Sequence, residues 1–238
     1  MACTIASINV NKRLRNSVHR ANFENWLVQL NPELVLLQEP WSYKQKGHVE
    51  IRGYRFIDGN SNVAVYCLET YDWKEIAQSL KYNEERWLSM QIGNITIHNL
   101  YFPSDKSPQK KELLNHLTEK LYEYRDKSHI LVGDFNFAPG EEDGLFDGQI
   151  SSWTSTQERN AFQRLVTTIN LVDMHPQEDI FTFERQINNK LSQFRCDLAL
   201  ISSNALGLIK PSVTYSHVTR RGEYSFTDHS GVICHLLG

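Results

Sequence analysis

Apolar residues fall along this chain in short runs separated by polar turns, not in one sustained rhythm. Leu34-Val35-Leu36-Leu37 and Ile130-Leu131-Val132 are apolar at every position, the pattern of strands covered on both faces. Runs of strand length predict strands at residues 3–10, 33–38, 63–68, 87–92, 94–101, 129–133, 196–201 and 231–237. Three segments switch to the helical period. Phe23, Trp26, Leu27 and Leu30 recur at i, i+3, i+4 and i+7. Ser107-Pro108 stands in N-cap and N1 order before a stripe of Leu113, Leu114, Leu117, Leu121 and Tyr124. Ser155-Thr156-Gln157-Glu158 reads as a capping box, followed by Phe162, Leu165, Val166 and Ile169. Strands outnumber helices, and many strands follow one another with no helix between them, which favours antiparallel pairing. The expected fold is an α/β four-layer sandwich: two mixed, mostly antiparallel sheets flanked by helices.

No repeat, low-complexity tract or linker interrupts the pattern, so residues 1–238 are read as a single domain. No apolar run approaches the roughly 20 residues of a membrane span, and the N-terminal residues enter a strand pattern without a basic flank or cleavage site. An intracellular protein of cytoplasm or nucleus is expected, not secreted, with no membrane and no obligate protein partner. Cys3, Cys67, Cys196 and Cys234 are scattered without C-x-x-C pairing, which argues against structural zinc and for a reducing compartment. The formal net charge is −3. Any surface for a polyanion must therefore be local, and a site made of carboxylates would itself contribute to the count.

Candidate chemistry lies where the runs meet polar residues. They border Ser7-Ile8-Asn9, Leu37-Gln38-Glu39, Asn99-Leu100-Tyr101, Gly133-Asp134-Phe135-Asn136, Arg195-Cys196-Asp197 and Thr227-Asp228-His229. Strand ends are where α/β folds gather active sites. Each piece alone has a plainer explanation. Asn9 suits a turn, Glu39 a solvated loop, Asp134 with Asn136 an Asx-turn, Tyr101 a sheet aromatic, and Asp228-His229 a surface pair.

Taken in order, the six segments resemble the motifs of the exonuclease–endonuclease–phosphatase superfamily across residues 4 to 237. Asn9 is similar to its first-strand Asn, and Gln38-Glu39 to its metal-binding Q-E motif. Asn99-Leu100-Tyr101-Phe102-Pro103 is similar to N-x-Y-x-P, and Gly133-Asp134-Phe135-Asn136 to G-D-F-N. Arg195-Cys196-Asp197 is similar to R-x-D, and Thr227-Asp228-His229 to the terminal S-D-H with Thr for Ser. The resemblance implies hydrolysis of phosphodiester bonds with Mg²⁺, for which Mn²⁺ would substitute. Glu39, with Asn9 and Asp228, is the expected metal shell, since Mg²⁺ takes few carboxylates and keeps several waters. Asp134 would orient or deprotonate water, and Asn136 and Tyr101 would hold water or phosphate. Asp197 would fix the tautomer of His229 and raise its pKa.

Within the superfamily, Trp153–Arg159 and the aromatics Phe181, Phe183 and Phe194 resemble exonuclease III and apurinic endonucleases, where such rings wall a sugar pocket. Glu39-Pro40-Trp41 and the segment 62–68 resemble LINE-type retrotransposon endonucleases instead. Asn99, Arg13, Arg15, Phe183, Phe194 and Arg221 are the candidate substrate contacts, with duplex DNA as expected partner. The expected activity is a DNA endonuclease, apurinic or site-selective. The alternative is a phosphatase or phosphodiesterase of the same fold acting on RNA, inositol phosphates or lipids.

Overall fold

The computed structural model describes residues 2–44, 47–71, 82–105, 107–151 and 154–237. Trp153 and the side chain of Ser107, both used above, lie outside that description. One six-stranded sheet runs in spatial order Lys210–Ser216, Gly231–Leu237, Ala2–Asn9, Leu34–Gln38, Val63–Leu68 and Tyr54–Gly59. A second runs Leu171–Met174, Asp197–Ser202, Ser128–Asp134, Ile95–Tyr101, Trp87–Ile92 and Tyr82–Glu84. Each contains one parallel pair, Ala2–Asn9 with Leu34–Gln38 and Ile95–Tyr101 with Ser128–Asp134, and is otherwise antiparallel.

The continuous apolar runs explain the layering. Leu34 and Leu36 enter the core between the sheets with Ile130 and Val132, whereas Val35 and Leu37 face the opposite way. There they meet Phe23, Trp26 and Leu27 of the helix Ser17–Leu30. On the far side Leu131, Leu198 and Leu200 pack on the helices Ser107–Tyr122 and Thr156–Ile169. Those helices contribute Leu114, Leu117 and Leu121, and Phe162, Leu165 and Ile169. Helix, sheet, sheet, helices is the expected four-layer order. The capping box forms: the Ser155 hydroxyl accepts from Glu158 N while the Glu158 carboxylate accepts from Ser155 N. Tyr124 does not join its stripe; the helix ends at Tyr122 and Tyr124 is exposed.

The pattern did not predict the outer strands Tyr54–Gly59, Leu171–Met174 and Lys210–Ser216, nor a third, four-stranded sheet. That sheet carries the hairpin Phe183–Ile187 and Lys190–Phe194 beside Gly144–Phe146 and Gln149–Ile150. Its polar side chains alternate weakly because so much of it faces solvent. The turn did carry a signal. Asn188 and Asn189 both have positive φ, 51° and 63°, as a two-residue hairpin loop of the primed kind requires. Among the described residues, no helix is long and apolar enough to cross a membrane.

Candidate active site

The parallel strands bring Asn9, Gln38, Tyr101 and Asp134 to one edge of the sandwich at their C-terminal ends. Asp197 and the Asp228-His229 pair arrive differently. Asp197 opens its strand and pairs antiparallel with Asp134, and His229 precedes Gly231–Leu237. Antiparallel strands start where parallel ones finish, so the six motifs share one edge although only some of them end a strand.

Close approach at that edge depends on Gly133. A Cβ there would stand 2.0 Å from the Leu100 carbonyl oxygen, so only glycine lets the strands carrying Tyr101 and Asp134 run together. Local backbone is also held in the left-handed region at Asn11, Lys12, Glu39 and Asn136, with φ between 47° and 60°. For Glu39 and Lys12, which gain little from that conformation, this costs about 1–2 kcal/mol each and clusters where the polar groups converge.

Asp134 is the buried centre. Its carboxylate accepts from Asn9 Nδ2 at 2.8 Å, from Asn136 N at 2.9 Å and from Asn136 Nδ2 at 3.1 Å. Burial, then the nearby Asp197, pushes its pKa up, against the pull of His229 and those donors. His229 Nδ1 donates to Asp197 Oδ2 at 2.9 Å, which leaves Nε2 4.0 Å from Asp134 Oδ2. Burial alone would lower the imidazole pKa, but Asp197 and Asp134 outweigh it and raise it to about 10. The two acidic groups on either side of the ring thus favour its imidazolium form.

Glu39 collects a second group. Tyr101 donates its phenol hydrogen to Glu39 Oε1 at 2.7 Å, Asn9 Nδ2 reaches the same oxygen at 3.4 Å, and Lys12 Nζ lies 2.5 Å from Oε2. Burial raises the Glu39 pKa, yet Lys12 and Tyr101 bring the net value below the usual one. Asp228 is likewise held low against burial by His229, Asn11 and Arg13. Asn11 Nδ2 donates to both its oxygens, and Arg13 stands 3.7 Å away. A hard divalent cation fits this donor set: Glu39 already binds a cation, a half-exposed ammonium that can withdraw.

Three expectations need correction. Asn9 turns its NH₂, not its oxygen, toward the carboxylates; Oδ1 is taken by Asn11 N, so Asn9 bridges Glu39 and Asp134 and does not offer a metal ligand. Asn99 is fully buried between the sheets, where it accepts from Gln38 and donates to the Leu37 and Ala64 carbonyls, out of reach of substrate. Arg221 is paired with Asp179 and Glu184, and Arg220 with Glu184, so this doublet is not free for phosphate. Arg15 is exposed and donates to the Gly47 carbonyl.

A cavity of about 570 Å³ opens beside His229, lined by Asn136, Phe183, Arg185, Phe194 and Cys196. Phe183 lies 5.0 Å from the His229 ring, and the two residues form an isolated bridge. Phe194 is its cross-strand partner and is almost fully buried against Gly144. Other cavities, among them those of about 340 and 470 Å³, lie away from these carboxylates.

Three supporting residues escape the motifs, and a fourth, Arg195, is the R of R-x-D. Thr182 Oγ1 accepts from the backbone N of both Cys196 and Asp197 at 3.1 Å, and its carbonyl accepts from Ser230 N. It thus ties the Asp197 and His229 segments together. Buried Lys110 donates to the Asn136 carbonyl and pairs with Glu158, the capping-box residue. Arg86 stacks on Tyr101 with its guanidinium 5.0 Å from the ring centre. Arg195, almost fully buried, forks onto Asp143 and Asp173 and pins the turn at Asp143 to the strand Leu171–Met174. A lone Thr, Lys or Arg in the sequence gives no signal of such contacts.

Interlocked carboxylates, amides and one imidazole thus meet at one edge of a two-sheet α/β sandwich. The chain belongs to the Endonuclease/Exonuclease/phosphatase family, whose model matches residues 6–229. No curated protein sequence matches it. Solved structures with the same fold include the 3'-5' exonuclease NExo from Neisseria meningitidis, at TM-score 0.75 and 22% identity, covering 99% of this chain and 100% of that one. An AP endonuclease from Archaeoglobus fulgidus matches at TM-score 0.70 and 22% identity over 98% of both chains. The endonuclease domain of TRAS1, a telomere-specific non-LTR retrotransposon, matches at 0.68 and 15% over 98% of both.

Proposed function

We propose that this chain is a divalent-metal-dependent DNA phosphodiesterase acting as an endonuclease, with an apurinic or otherwise distorted nucleotide as its favoured site. The observation that carries this reading is the junction of the two carboxylate groups through Asn9, beside a cavity walled by aromatic rings. Mg²⁺ or Mn²⁺ held at Glu39, with Asp228 near, would place Lewis-acid charge on a non-bridging phosphate oxygen. Asp134 takes a proton from the attacking water while the Asn136 and Asn9 amides fix its orientation. The His229 imidazolium, held by Asp197, offsets the charge that builds on the phosphate. Tyr101, with Arg86 on its ring, holds the Glu39 carboxylate through its phenol hydrogen. Arg13 and Arg15 contact the flanking backbone. Phe183 and Phe194 receive a sugar that carries no base, because an apolar wall at that position suits the bare ring.

Incubation with supercoiled plasmid, and with an oligonucleotide carrying one abasic site, tests the reading. Nicking with Mg²⁺, loss in EDTA and recovery with Mn²⁺ are expected, and Phe183→Ala should slow abasic cleavage about ten- to a hundredfold more than plasmid nicking. Full activity in chelator sinks the metal dependence. A second reading draws on a related structure, the 3' phosphatase NExo from Neisseria bound to a product DNA hairpin. Release of inorganic phosphate from a 3'-phosphorylated end, with no cleavage of internal bonds, would favour it.

A further inference from the structure

Cys196 occupies the variable middle position of the R-x-D segment, and this thiol points into the candidate site. Among the described residues, Asp134, Cys196 and His229 present one ligand atom each with all three within 4.8 Å of one another, and all three are buried. No part of the phosphodiesterase reading uses the thiol.

We propose that Asp134, Cys196 and His229 form a second metal site, selective for Zn²⁺ over Mg²⁺, whose occupation shuts the hydrolytic centre. The ligand chemistry separates it from the Glu39 group. Glu39 and its neighbours offer oxygen alone, whereas a thiolate and an imidazole select a borderline-soft ion and repel Mg²⁺. The outer contacts are already in place. Asp197 accepts the Nδ1 hydrogen of His229, so that Nε2 becomes the ligand atom once its own proton leaves, the carboxylate–histidine–metal arrangement. Asn9 and Asn136 orient Asp134. The Cys196 thiol donates weakly to Asp197 at 3.6 Å and sits 3.8 Å from Thr182 Oγ1, contacts it can give up. The cavity that touches Cys196, His229 and Asn136 gives an ion a way in and leaves a fourth position for water. Zn–S and Zn–N bonds of about 2.3 and 2.0 Å put ligand atoms roughly 3.5 Å apart, so the three side chains close by about 1 Å on binding. As the Zn–S bond forms, the thiol proton and the imidazolium proton leave to solvent, and no electron is transferred. With zinc on His229 Nε2 and on Asp134, neither group can serve the phosphate, so cleavage stops while Glu39 stays free for Mg²⁺.

The inhibitory half rests on the function proposed above; the binding half does not, and the test separates them. Co²⁺ titrated into the full chain should give a near-ultraviolet sulfur-to-cobalt band that saturates at one ion per chain, survives excess Mg²⁺, and is lost in Cys196→Ala and Cys196→Ser. Zinc-edge X-ray absorption on the unmodified protein, which needs no variant to fold, should show one sulfur neighbour at about 2.3 Å. The zinc concentration that halves Mg²⁺-supported cleavage should rise in Cys196→Ser by more than the ten- to hundredfold typical of losing an outer contact. An unmodified chain without the cobalt band or the sulfur neighbour overturns the site, as does a band that survives in Cys196→Ala. A band without any DNA cleavage would fail the proposed function and leave the site standing. Cleavage equally zinc-sensitive in wild type and Cys196→Ser overturns the inhibitory role.

Discussion

Two buried histidine systems sit at different places in the sandwich, and they differ in one respect. His229, at the site edge, donates to Asp197 and faces Asp134. His98, on the strand that ends in Tyr101, meets only neutral groups among the described residues: Trp87 Nε1 and the Ser89 hydroxyl at its Nδ1, and His129 at its Nε2. The contacts fix the tautomers. Trp87 can only donate, so His98 Nδ1 accepts and Nε2–H donates to His129 Nδ1, leaving His129 Nε2–H for the Tyr124 carbonyl. Burial lowers the pKa of His98 and of His129. At His229 the same burial is overridden by carboxylates. Depth does not decide what a histidine does; the charge of its partners does.

The strongest way to break the contrast is Asp197→Asn, which gives His229 the neutral partner that His98 has. Cleavage should fall on the order of 10²–10⁴-fold, as it should in His229→Ala, and the double variant should be little worse than either single one. A rate assay on plasmid with a melting curve alongside decides it. Near wild-type turnover in either variant removes the pair from the chemistry.

The complementary change is His98→Ala. It removes the acceptor of Trp87 Nε1 and the donor to His129 Nδ1 inside the core and opens a cavity, for a cost of about 3 kcal/mol. Cleavage per folded molecule should stay as it was. Urea unfolding reads the first effect and active-site-normalised rates the second. A stable variant with depressed turnover would show that the two systems communicate.

pH sharpens the contrast through its sign. His98 and His129 have folded pKa values below the ordinary 6.5, so they contribute stability above pH 6.5 that is lost as acid protonates them in the fold. His229, raised to about 10, contributes stability that is fully present below pH 6.5 and disappears as pH rises through about 10. Denaturant midpoints of the metal-free chain should therefore drop on both sides of neutrality. His229→Asn should remove the alkaline limb, and His98→Gln should blunt the acid one. An alkaline limb unchanged in His229→Asn would contradict the paired imidazolium.

What the sequence made legible follows the same division. Buried two-sided strands announce themselves, because every position must be apolar; Leu34–Leu37 and Ile130–Val132 are examples. Gly133-Asp134-Phe135-Asn136 is legible as a motif because Gly133 has no steric alternative. The edge strand Lys210–Ser216 and the hairpin Phe183–Phe194 are not, since half-solvated strands tolerate polar residues in any order. Partners are the least legible of all. Nothing in the string distinguishes Asn9, which turns its NH₂ to carboxylates, from Asn99, which closes the core. His98 and His229 look alike until their neighbours across the sheet are known.

The smallest expected effect carries the rule to the surface. Arg221 lies on two carboxylates, Asp179 and Glu184, and Glu184 is pulled down to about 2 chiefly by Arg220 and Arg221 working against its burial. Arg15 is exposed and donates to the Gly47 carbonyl. A guanidinium on two carboxylates would have to break those pairs to reach a phosphate, whereas Arg15 lies exposed in the basic stretch that follows Asn9. Arg15→Ala should therefore weaken binding to every DNA sequence alike and lower the slope of log affinity against log salt by about one. Arg221→Ala should change affinity by less than about 1 kcal/mol and leave that slope alone, its cost appearing as a small loss of stability from two exposed pairs. Fluorescence anisotropy over a salt series, with catalytically inert His229→Ala as background, measures both. An Arg221 slope change as large as that of Arg15 would mean that DNA draws Arg221 off its carboxylates, and that the partners seen in the free protein do not hold on the complex.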